Sequence, residues 1–244
     1  MTILSRPHVI RLLALGILLI VPVASGAQER PPIVQKLAST YGLESFGQIE
    51  AIRYTFNAQL PGVDRSRSWI WEPKTDQVTY EGKDKADKPV KVTYLRSQLG
   101  SQPADVQAEI DPGFVNDQYW LLFPFHVSWD GGATVEDAGM QKLPLGQGSA
   151  DKVSVKYPSG GGSSPGDTWV LYVGPDGRIQ EFEFHRGGAA KPGVVIATWA
   201  DYKKAGPLLF SLDHRGTADG KPLRVFFSNV AVKLAGSNSW IDAQ

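Results

Sequence analysis

The chain of 244 residues contains no cysteine. Without thiols it has no disulfide framework, so its stability has to come from a packed core. The same absence removes the cysteine to which a bacterial lipoprotein attaches its lipid after the signal sequence. We therefore expect a protein that is not itself a lipoprotein and that folds through its apolar residues alone.

An excess of charge of either sign is also absent, because 25 basic residues stand against 25 acidic ones. A chain without a large net field is not drawn to the phosphates of nucleic acids or to an anionic membrane surface, so we expect neither as a partner. No linker with a shift in composition interrupts the sequence. We therefore expect one domain over residues 28–244.

A long hydrophobic run occurs once, as LLALGILLIVPVA at 12–24. Arg6 and Arg11 precede it and SGA at 25–27 follows it, which is the order of charged, apolar and small residues in a secretory signal peptide. The run is short for a bilayer-spanning helix. We expect residues 1–27 to be removed, leaving a periplasmic or secreted protein without an integral membrane span. An uncleaved membrane anchor is the alternative.

Motifs for catalysis and for metal binding are scarce. After the signal segment the histidines are His126, His185 and His214, which are too far apart in the chain for a local zinc motif. There is no Gly-x-Ser-x-Gly nucleophile elbow, and the glycine-rich loop at 158–167 lacks the Lys-Ser/Thr of a phosphate-binding loop. We expect no metal, no cofactor and no enzymatic activity. A hydrolase that uses one of these histidines is kept as a third hypothesis.

Two pairs of ionisable residues lie close together in predicted strands, and neither pair is expected to be catalytic. Asp213 and His214 are neighbours in a predicted strand, so they should point to opposite faces and not form a dyad. Glu181 and Glu183 should share one face of their strand, and we expect that face to be a solvated surface.

Hydrophobic periodicity predicts an α+β protein dominated by an antiparallel sheet. The segment 31–43 is predicted to be a short helix with Gly42 at its end, and 103–123 to contain one or two helical segments that Pro124 terminates. After Pro124 we expect an extended arm that lays Phe125 and Trp129 toward the sheet. Alternation of apolar and polar residues predicts about nine or ten strands. They lie at 49–60, 68–72, 77–81, 91–95, 151–157, 168–173, 179–185, 194–203, 207–214 and 222–234.

Aromatic residues are the feature in which this sequence departs from routine. The stretch NDQYWLLFPFHVSWD at 116–130 is rich in them, and several predicted strands place large side chains on one face. Such pairs are Trp69 with Trp71, Tyr54 with Phe56, Trp169 with Leu171, and Phe182 with Phe184. Either helices cover this face completely and the rings form a dry core, or a curved sheet under a small helical lid leaves a concave apolar cavity.

The order of these pieces and two late motifs resemble a known superfamily. The motifs are DYKKAGPLLFSL at 201–212 and LRVFFSNVAVKL at 223–234, and the sequence resembles the outer-membrane lipoprotein carrier (LolA/LolB-like) superfamily. The positions that match the pattern of this group are Asp201, Tyr202, Gly206, Leu208, Leu209, Asn229 and Val230. NDQYWLLFPF and SPGDTWVLYVGPDGRIQEFEF look like an exported branch of it. The resemblance covers residues 31–236.

The resemblance implies an incomplete β-barrel, in which a strongly curved antiparallel sheet with a small helical lid surrounds an apolar cavity that accommodates acyl chains. Proper carriers of this group are identified by a lid arginine and by partner-docking surfaces; Arg53 and Arg67 are the candidates for the arginine, and neither is assigned. It does not imply lipoprotein carriage as such.

Our leading hypothesis is a non-enzymatic, exported protein that binds a lipid or the acyl chains of a lipoprotein, with a cell-envelope protein as a further partner. The proposed cavity wall consists of Tyr54, Phe56, Trp69, Trp71, Trp169, Leu171, Phe182, Phe184, Phe210 and Phe227. The proposed lid or its hinge carries Trp120, Phe123, Phe125 and Trp129. The alternative is a structural or protein-interaction module of the cell envelope with a filled aromatic core.

Overall fold

The computed structural model describes residues 30–84, 87–160, 162–188 and 193–244. The predicted signal peptide at 1–27 and the predicted start of the mature chain at Gln28 lie outside these residues. The fold below is therefore that of the segment expected after cleavage.

The first element is the predicted short helix, α1, at Pro32–Tyr41. Gly42 ends it in the left-handed conformation, at φ 85°, and its amide bonds back to the carbonyls of Ala38 and Ser39. A Cβ atom at this position would lie 2.3 Å from the carbonyl oxygen of Pro207. Glycine is therefore required here both by backbone conformation and by space. A short 3-10 helix at Leu43–Gln48 leads into the sheet.

The sheet is a single antiparallel sheet of thirteen strands that does not close into a barrel. Its path runs β4-β3-β2-β1-β12-β11-β9-β8-β7-β6-β5, with β10 pairing β11 and β13 pairing β12. The strands are β1 (Ile49–Leu60), β2 (Val63–Glu72), β3 (Gln77–Lys83), β4 (Pro89–Leu95), β5 (Thr134–Lys142), β6 (Ser149–Lys156), β7 (Thr168–Val173), β8 (Ile179–His185), β9 (Val194–Thr198), β10 (Ala200–Ala205), β11 (Leu208–Ala218), β12 (Lys221–Leu234) and β13 (Trp240–Asp242). This is the α+β, curved and unclosed architecture expected from the sequence.

Three differences separate these strands from the predicted ones. The sequence pattern misses β5, in which Val135 alone is fully buried, because an exposed edge strand has no alternation to read. It also misses the three-residue β13. The predicted strand at 194–203 is divided into β9 and β10 at Trp199, and both parts pair with β11.

The long central helix, α2, spans Asp111–Trp129 and follows a π-helix at Val106–Ile110 and a 3-10 helix at Arg96–Ser101. The prediction that Pro124 closes the helix, with an extended arm after it, is wrong, because Pro124 lies inside α2. The bias against helix before proline is a local preference of modest size. Fourteen of the nineteen residues of α2 are buried, and packing on this scale overrides the preference.

The expectation for Glu181 is wrong as well. Its side chain is 6% exposed, and its carboxylate accepts a hydrogen bond of 2.7 Å from the backbone amide of Leu145. The loop between β5 and β6 covers this part of β8, with Gly146 close enough that a Cβ there would lie 2.7 Å from Glu181 Oε1. Glu183 is partly covered too, and it accepts hydrogen bonds from Tyr172 and His185.

Candidate functional site

The fourteen side chains predicted to form the wall and the lid all belong to one continuous hydrophobic cluster. Eleven of them are buried, and Trp71, Trp129 and Phe184 are partly buried and pack against the others. The cluster fills the space between the concave face of the sheet and the two α-helices. The structure therefore brings the whole predicted set together, while its contact with a ligand stays a prediction.

Helix α2 occupies the face of the sheet that was predicted to hold a ligand. Phe123 stacks on Trp169 with 4.1 Å between ring centroids, and Trp169 stacks on Phe182 at 5.6 Å. Trp120 packs edge-on against Trp169 at 5.2 Å. In this conformation the rings contact one another across the interface, as a filled core requires.

The end of α2 packs against Phe46, which is not among the predicted wall and lid residues. The ring centroid of Phe46, from the 3-10 helix before β1, lies 5.5 Å from that of Phe125 and 4.7 Å from that of Trp129. Phe125 and Trp129 are four residues apart on the helix and stack on each other at 5.4 Å. The arm predicted after Pro124 is thus the last turn and a half of the helix.

We call the aromatic side chains of this hydrophobic cluster the aromatic layer. Four buried donors in this layer have no hydrogen-bond partner within the part of the chain that the structure describes. They are Tyr54 Oη, Trp71 Nε1, Trp169 Nε1 and Trp199 Nε1. Leaving a donor of this kind unpaired in an apolar interior costs about 1–3 kcal/mol. An unpaired buried donor is uncommon in a protein core, and four in one layer make this layer unusual among dry cores.

An ion pair attaches α2 to the sheet. The Arg67 guanidinium, from β2, donates two hydrogen bonds to the Asp117 carboxylate of α2, with Nε at 2.7 Å from Oδ2. The indole N–H of Trp69 donates to the same Oδ2 at 2.8 Å. Asp117 is fully buried, which raises its pKa, and the charge and hydrogen bonds of Arg67 oppose that rise. We call these three side chains the Asp117 clamp.

Of the two candidates for a lid arginine, Arg67 contacts α2 through the Asp117 clamp and Arg53 does not. Arg53 lies on the outer face of β1, where it pairs with Asp242 at 2.6 Å and stacks over the Trp240 ring at 4.8 Å. It makes none of the contacts to α2 that Arg67 makes. The sequence signal for the clamp was an acidic residue in the middle of an otherwise apolar helical stretch, which has to find a cation when the helix is buried.

A second clamp, which we call the Asp111 clamp, holds the start of α2. Arg96 Nε donates to Asp111 Oδ1 at 2.7 Å, and the hydroxyl of Tyr94 donates to the same oxygen at 3.0 Å. Burial raises the pKa of Tyr94, so this hydroxyl keeps its proton. The sequence pattern carries no signal for this pairing, because the partners come from the end of β4 and the residue after it.

The other end of α2 is fixed by Asp130. Its carboxylate accepts hydrogen bonds from Tyr119 at 2.8 Å and Tyr157 at 2.7 Å, and it lies 3.2 Å from His126 Nδ1. Burial opposes ionisation of Asp130, but the hydrogen bonds from His126, Tyr157 and Tyr119 hold its pKa below the usual value. Asp130 therefore stays ionised and anchors the C-terminal turn of the helix.

A cavity of 660 Å³ opens at the end of the sheet next to the Asp117 clamp. Its apolar part consists of Trp69, Tyr80, Val90 and Ile110, and Arg67 lies on its border. Charged side chains from β2, the β3–β4 connection and the segment before α2 form the rim: Asp64, Arg65, Lys83, Asp84, Asp87, Asp105 and Glu109. The cavity thus leads from solvent to the clamp that holds the helix.

Within the described residues, the three histidines contact different groups: His126 contacts Asp130, His185 contacts Glu183, and His214 contacts backbone carbonyls. Among residues 30–244, outside the short undescribed gaps, no three His, Asp or Glu side chains form a group suited to a metal ion. His214 is fully buried, whereas Asp213 faces outward to Arg215 and Arg224, as the strand pleat predicts. His185 pairs with Glu183 at 2.9 Å on the sheet surface.

Within the described residues, no helix has both the length and the apolar character that crossing a bilayer requires.

Comparison with known proteins gives structural neighbours and no sequence relatives. No family model matches the sequence, and no curated protein matches it. A DUF1329 family protein from Desulfovibrio piger aligns over 86% of this chain and 96% of its own, at 9% identity and a TM-score of 0.44. The lipoprotein LppX from Mycobacterium tuberculosis aligns over 83% of this chain and 96% of its own, at 11% identity and a TM-score of 0.29. A LolA superfamily protein from Nitrosomonas europaea, of the superfamily that the motifs resemble, aligns over 81% of this chain and 92% of its own, at 8% identity and a TM-score of 0.44.

Proposed function

We propose that this protein is an exported, non-enzymatic binding protein that holds an acyl chain against its aromatic layer, with α2 as a movable lid. The ligand is a lipid or the acylated end of a lipoprotein. In both, a hydrocarbon chain is attached to an ester or amide carbonyl group. The structure described above is then the closed form, in which α2 lies on the aromatic layer where the acyl chain would bind. The observation that carries the proposal is the set of four unpaired donors in the aromatic layer.

The unpaired donors match the chemistry of an acyl ester or amide. A carbonyl oxygen accepts a hydrogen bond from an indole N–H or a phenol O–H, which removes the desolvation penalty of a buried donor. The acyl chain itself gains about 0.8 kcal/mol for each methylene that it buries. Such a ligand therefore satisfies both features of the layer, its apolar surface and its unpaired N–H and O–H groups.

The attachment of α2 to the sheet suits a lid. A buried ion pair contributes little net stability, because desolvation of the two charges offsets most of their attraction. The Asp117 clamp therefore fixes the position of the helix without making the closed form much more stable than an open one. The cavity beside Arg67 gives a ligand access from solvent to this clamp.

The first test is a search for a native ligand. Protein purified from its native cell envelope, extracted with organic solvent and examined by mass spectrometry should release a lipid in stoichiometric amount. Repeated extraction without any lipid would count against the proposal.

The second test changes the clamp and uses a matched control. Lysine at position 67 keeps the charge but cannot form the two-pronged contact with Asp117. Arg67→Lys should therefore speed uptake of an anthroyloxy-labelled fatty acid several-fold, measured by stopped-flow fluorescence. Arg53→Lys alters an arginine–aspartate pair on the outer face, away from α2, and should leave uptake unchanged. Equal rates for the wild type and Arg67→Lys would contradict a lid role for α2.

A second candidate function is favoured by the tight ring packing. With Phe123 and Trp169 stacked at 4.1 Å, the layer is also what a structural or protein-interaction module of the envelope would need. Such a module releases no lipid on extraction, takes up no labelled fatty acid, and is recovered with a stable protein partner after cross-linking in cells. The two tests above separate the candidates.

A further inference from the structure

Pro124 leaves a gap in the hydrogen bonds of α2. Proline has no amide hydrogen, so it cannot donate to the carbonyl four residues before it, which is that of Trp120. A proline in a helix interior is unfavourable for this reason and usually bends or ends the helix. Here the helix continues for five residues, to Trp129.

The imidazole of His214 lies at this gap. His214, on β11, is fully buried, and its Nε2 lies 3.2 Å from the Trp120 carbonyl oxygen. The ring is held in place by Trp199, with centroids 4.2 Å apart, and by edge contacts to Phe182 and Phe227 at 5.9 Å. A proton on Nε2 makes the ring a donor to the carbonyl that Pro124 cannot serve.

The second ring nitrogen of His214 faces another carbonyl group. His214 Nδ1 lies 3.2 Å from the carbonyl oxygen of Thr198, which is also an acceptor. A neutral imidazole has one N–H and cannot donate to both carbonyls. Burial lowers the pKa of His214 to about 4, so the ring is neutral near pH 7. The contact with Trp120 therefore competes with another acceptor.

Two irregularities divide the helical segment into parts. The π-helix at Val106–Ile110 lies before α2, and the gap between Trp120 and Pro124 lies within it. Residues 111–120, between the two, carry both Asp111 and Asp117, the carboxylates of the two clamps. Helices bend at π-turns and at prolines, so this stretch is bounded by bending points and attached by ion pairs.

We propose that α2 hinges at the gap between Trp120 and Pro124 and that His214 holds this hinge closed: when the two clamps open, residues 111–120 swing away from the sheet and the contact between the imidazole and the Trp120 carbonyl breaks. This inference rests on the proposed lid function of α2. It assigns the moving part to residues 111–120, which follow the cavity residues Glu109 and Ile110, and leaves in place the C-terminal half, where His126 contacts Asp130. The hydrogen bond from Tyr119 to Asp130 opens together with the clamps.

Restoring the missing amide tests the contact directly. Pro124→Ala supplies a backbone donor for the Trp120 carbonyl, and His214→Phe removes the imidazole donor while keeping a ring of similar size. In the native background, His214→Phe should speed hydrogen exchange of the amides of residues 111–120 by roughly fivefold to tenfold, the equivalent of one net hydrogen bond. In the Pro124→Ala background the same substitution should change these rates less than about twofold. Equal effects in both backgrounds would overturn the inference.

Pro112→Ala is the matched control, because Pro112 lies in the first turn of the same helix and away from His214. Exchange rates in this background should respond to His214→Phe as in the native chain. If His214→Phe folds only together with Pro124→Ala, the inference is supported. If neither chain folds, Pro124→Ala alone decides: exchange of residues 111–120 should slow several-fold, and unchanged exchange would overturn the inference.

Uptake of the labelled fatty acid separates this inference from the proposed function. With a working lid, Pro124→Ala should slow uptake several-fold, because it replaces the hinge by a continuous helix. If the wild type takes up no fatty acid, the proposed function fails, and the exchange measurements still decide whether His214 replaces the missing amide. Uptake at native speed by Pro124→Ala would overturn the hinge and leave the binding function standing.

Discussion

At the scale of single residues, the identity of the partner decides what a buried polar group does. Asp117 is fully buried and would be costly alone, but Arg67 and Trp69 give its carboxylate three hydrogen bonds. Arg53 has the same chemistry on the outer face, where solvent weakens its pair with Asp242. An arginine–aspartate pair thus holds a helix in place at Arg67, whereas at Arg53 it is a surface contact.

The pH dependence of stability follows from His214. Burial lowers its pKa in the folded protein to about 4, below the ordinary value of 6.5. Between these values the unfolded chain binds the proton and the folded chain does not, so stability is lost as the pH falls through this window. The loss should reach about 2–3 kcal/mol by pH 4.5.

Urea unfolding at pH 7.5, 6.0, 5.0 and 4.5 measures this loss. It should be nearly absent in a chain that combines His214→Phe with Pro124→Ala, since no buried imidazole remains at position 214. His185→Gln removes a histidine that lies on the sheet surface beside Glu183, so most of the loss should persist in that variant. A decline of the same size after the change at 214 would show that other groups cause it.

At the scale of elements, short stretches with local determinants behave as their patterns predict. Helix α1 forms where one apolar face recurs every three or four residues, and Gly42 ends it. The hairpin of β7 and β8 pairs Trp169 with Phe184 and Leu171 with Phe182, in the register that alternation indicates. Helix α2 is different, because its continuation through Pro124 depends on contacts from distant parts of the chain.

Gly42→Ala should lower the free energy of unfolding by at least about 2 kcal/mol. The left-handed conformation at φ 85° is unfavourable for alanine by about 1–2 kcal/mol, and the new Cβ would lie 2.3 Å from the Pro207 carbonyl oxygen. Gly47→Ala is the control, since Gly47 has no positive φ and nothing within 4 Å of an added Cβ. Urea unfolding of both variants checks the difference, and equal midpoints would contradict this account of the α1 cap.

At the scale of the whole molecule, one face of the sheet and the two α-helices enclose a single apolar layer, and the two clamps hold α2 against it. The sheet does not close, so the layer needs the helices to exclude water from it. Rings from both the sheet and α2 meet there. Helix α2 therefore covers the layer, and under the proposed function the same helix opens it to a ligand.

Trp71→Gln distinguishes a binding layer from a filled core. Trp71 is partly buried, its indole N–H has no partner among the described residues, and its ring lies 6.1 Å from both Phe46 and Phe114. If the layer binds acyl chains, this change should weaken binding of the labelled fatty acid tenfold or more and lower stability by about 1–3 kcal/mol.

In a purely structural core the same change has one effect, a loss of folding, with no binding to lose. Trp240→Gln provides the control, because Trp240 packs on Arg53 on the outer face and should affect neither property strongly. Fatty-acid titration and circular dichroism of both variants check the outcome. Unchanged binding with unchanged folding would remove Trp71 from the proposed wall.

By itself, the sequence determined the α+β class, most of the strands, helix α1 and the set of rings that meet in the core, because two-residue and four-residue periodicities are local and burial follows from them. Only the tertiary structure decided that α2 continues through Pro124, that Arg67 and not Arg53 contacts the helix, and that Glu181 is covered. The partners involved, such as His214 with Trp120 and Arg67 with Asp117, are distant in the chain. A pairing of this kind has no period in the sequence, and it arises only when folding brings the two groups to the same place.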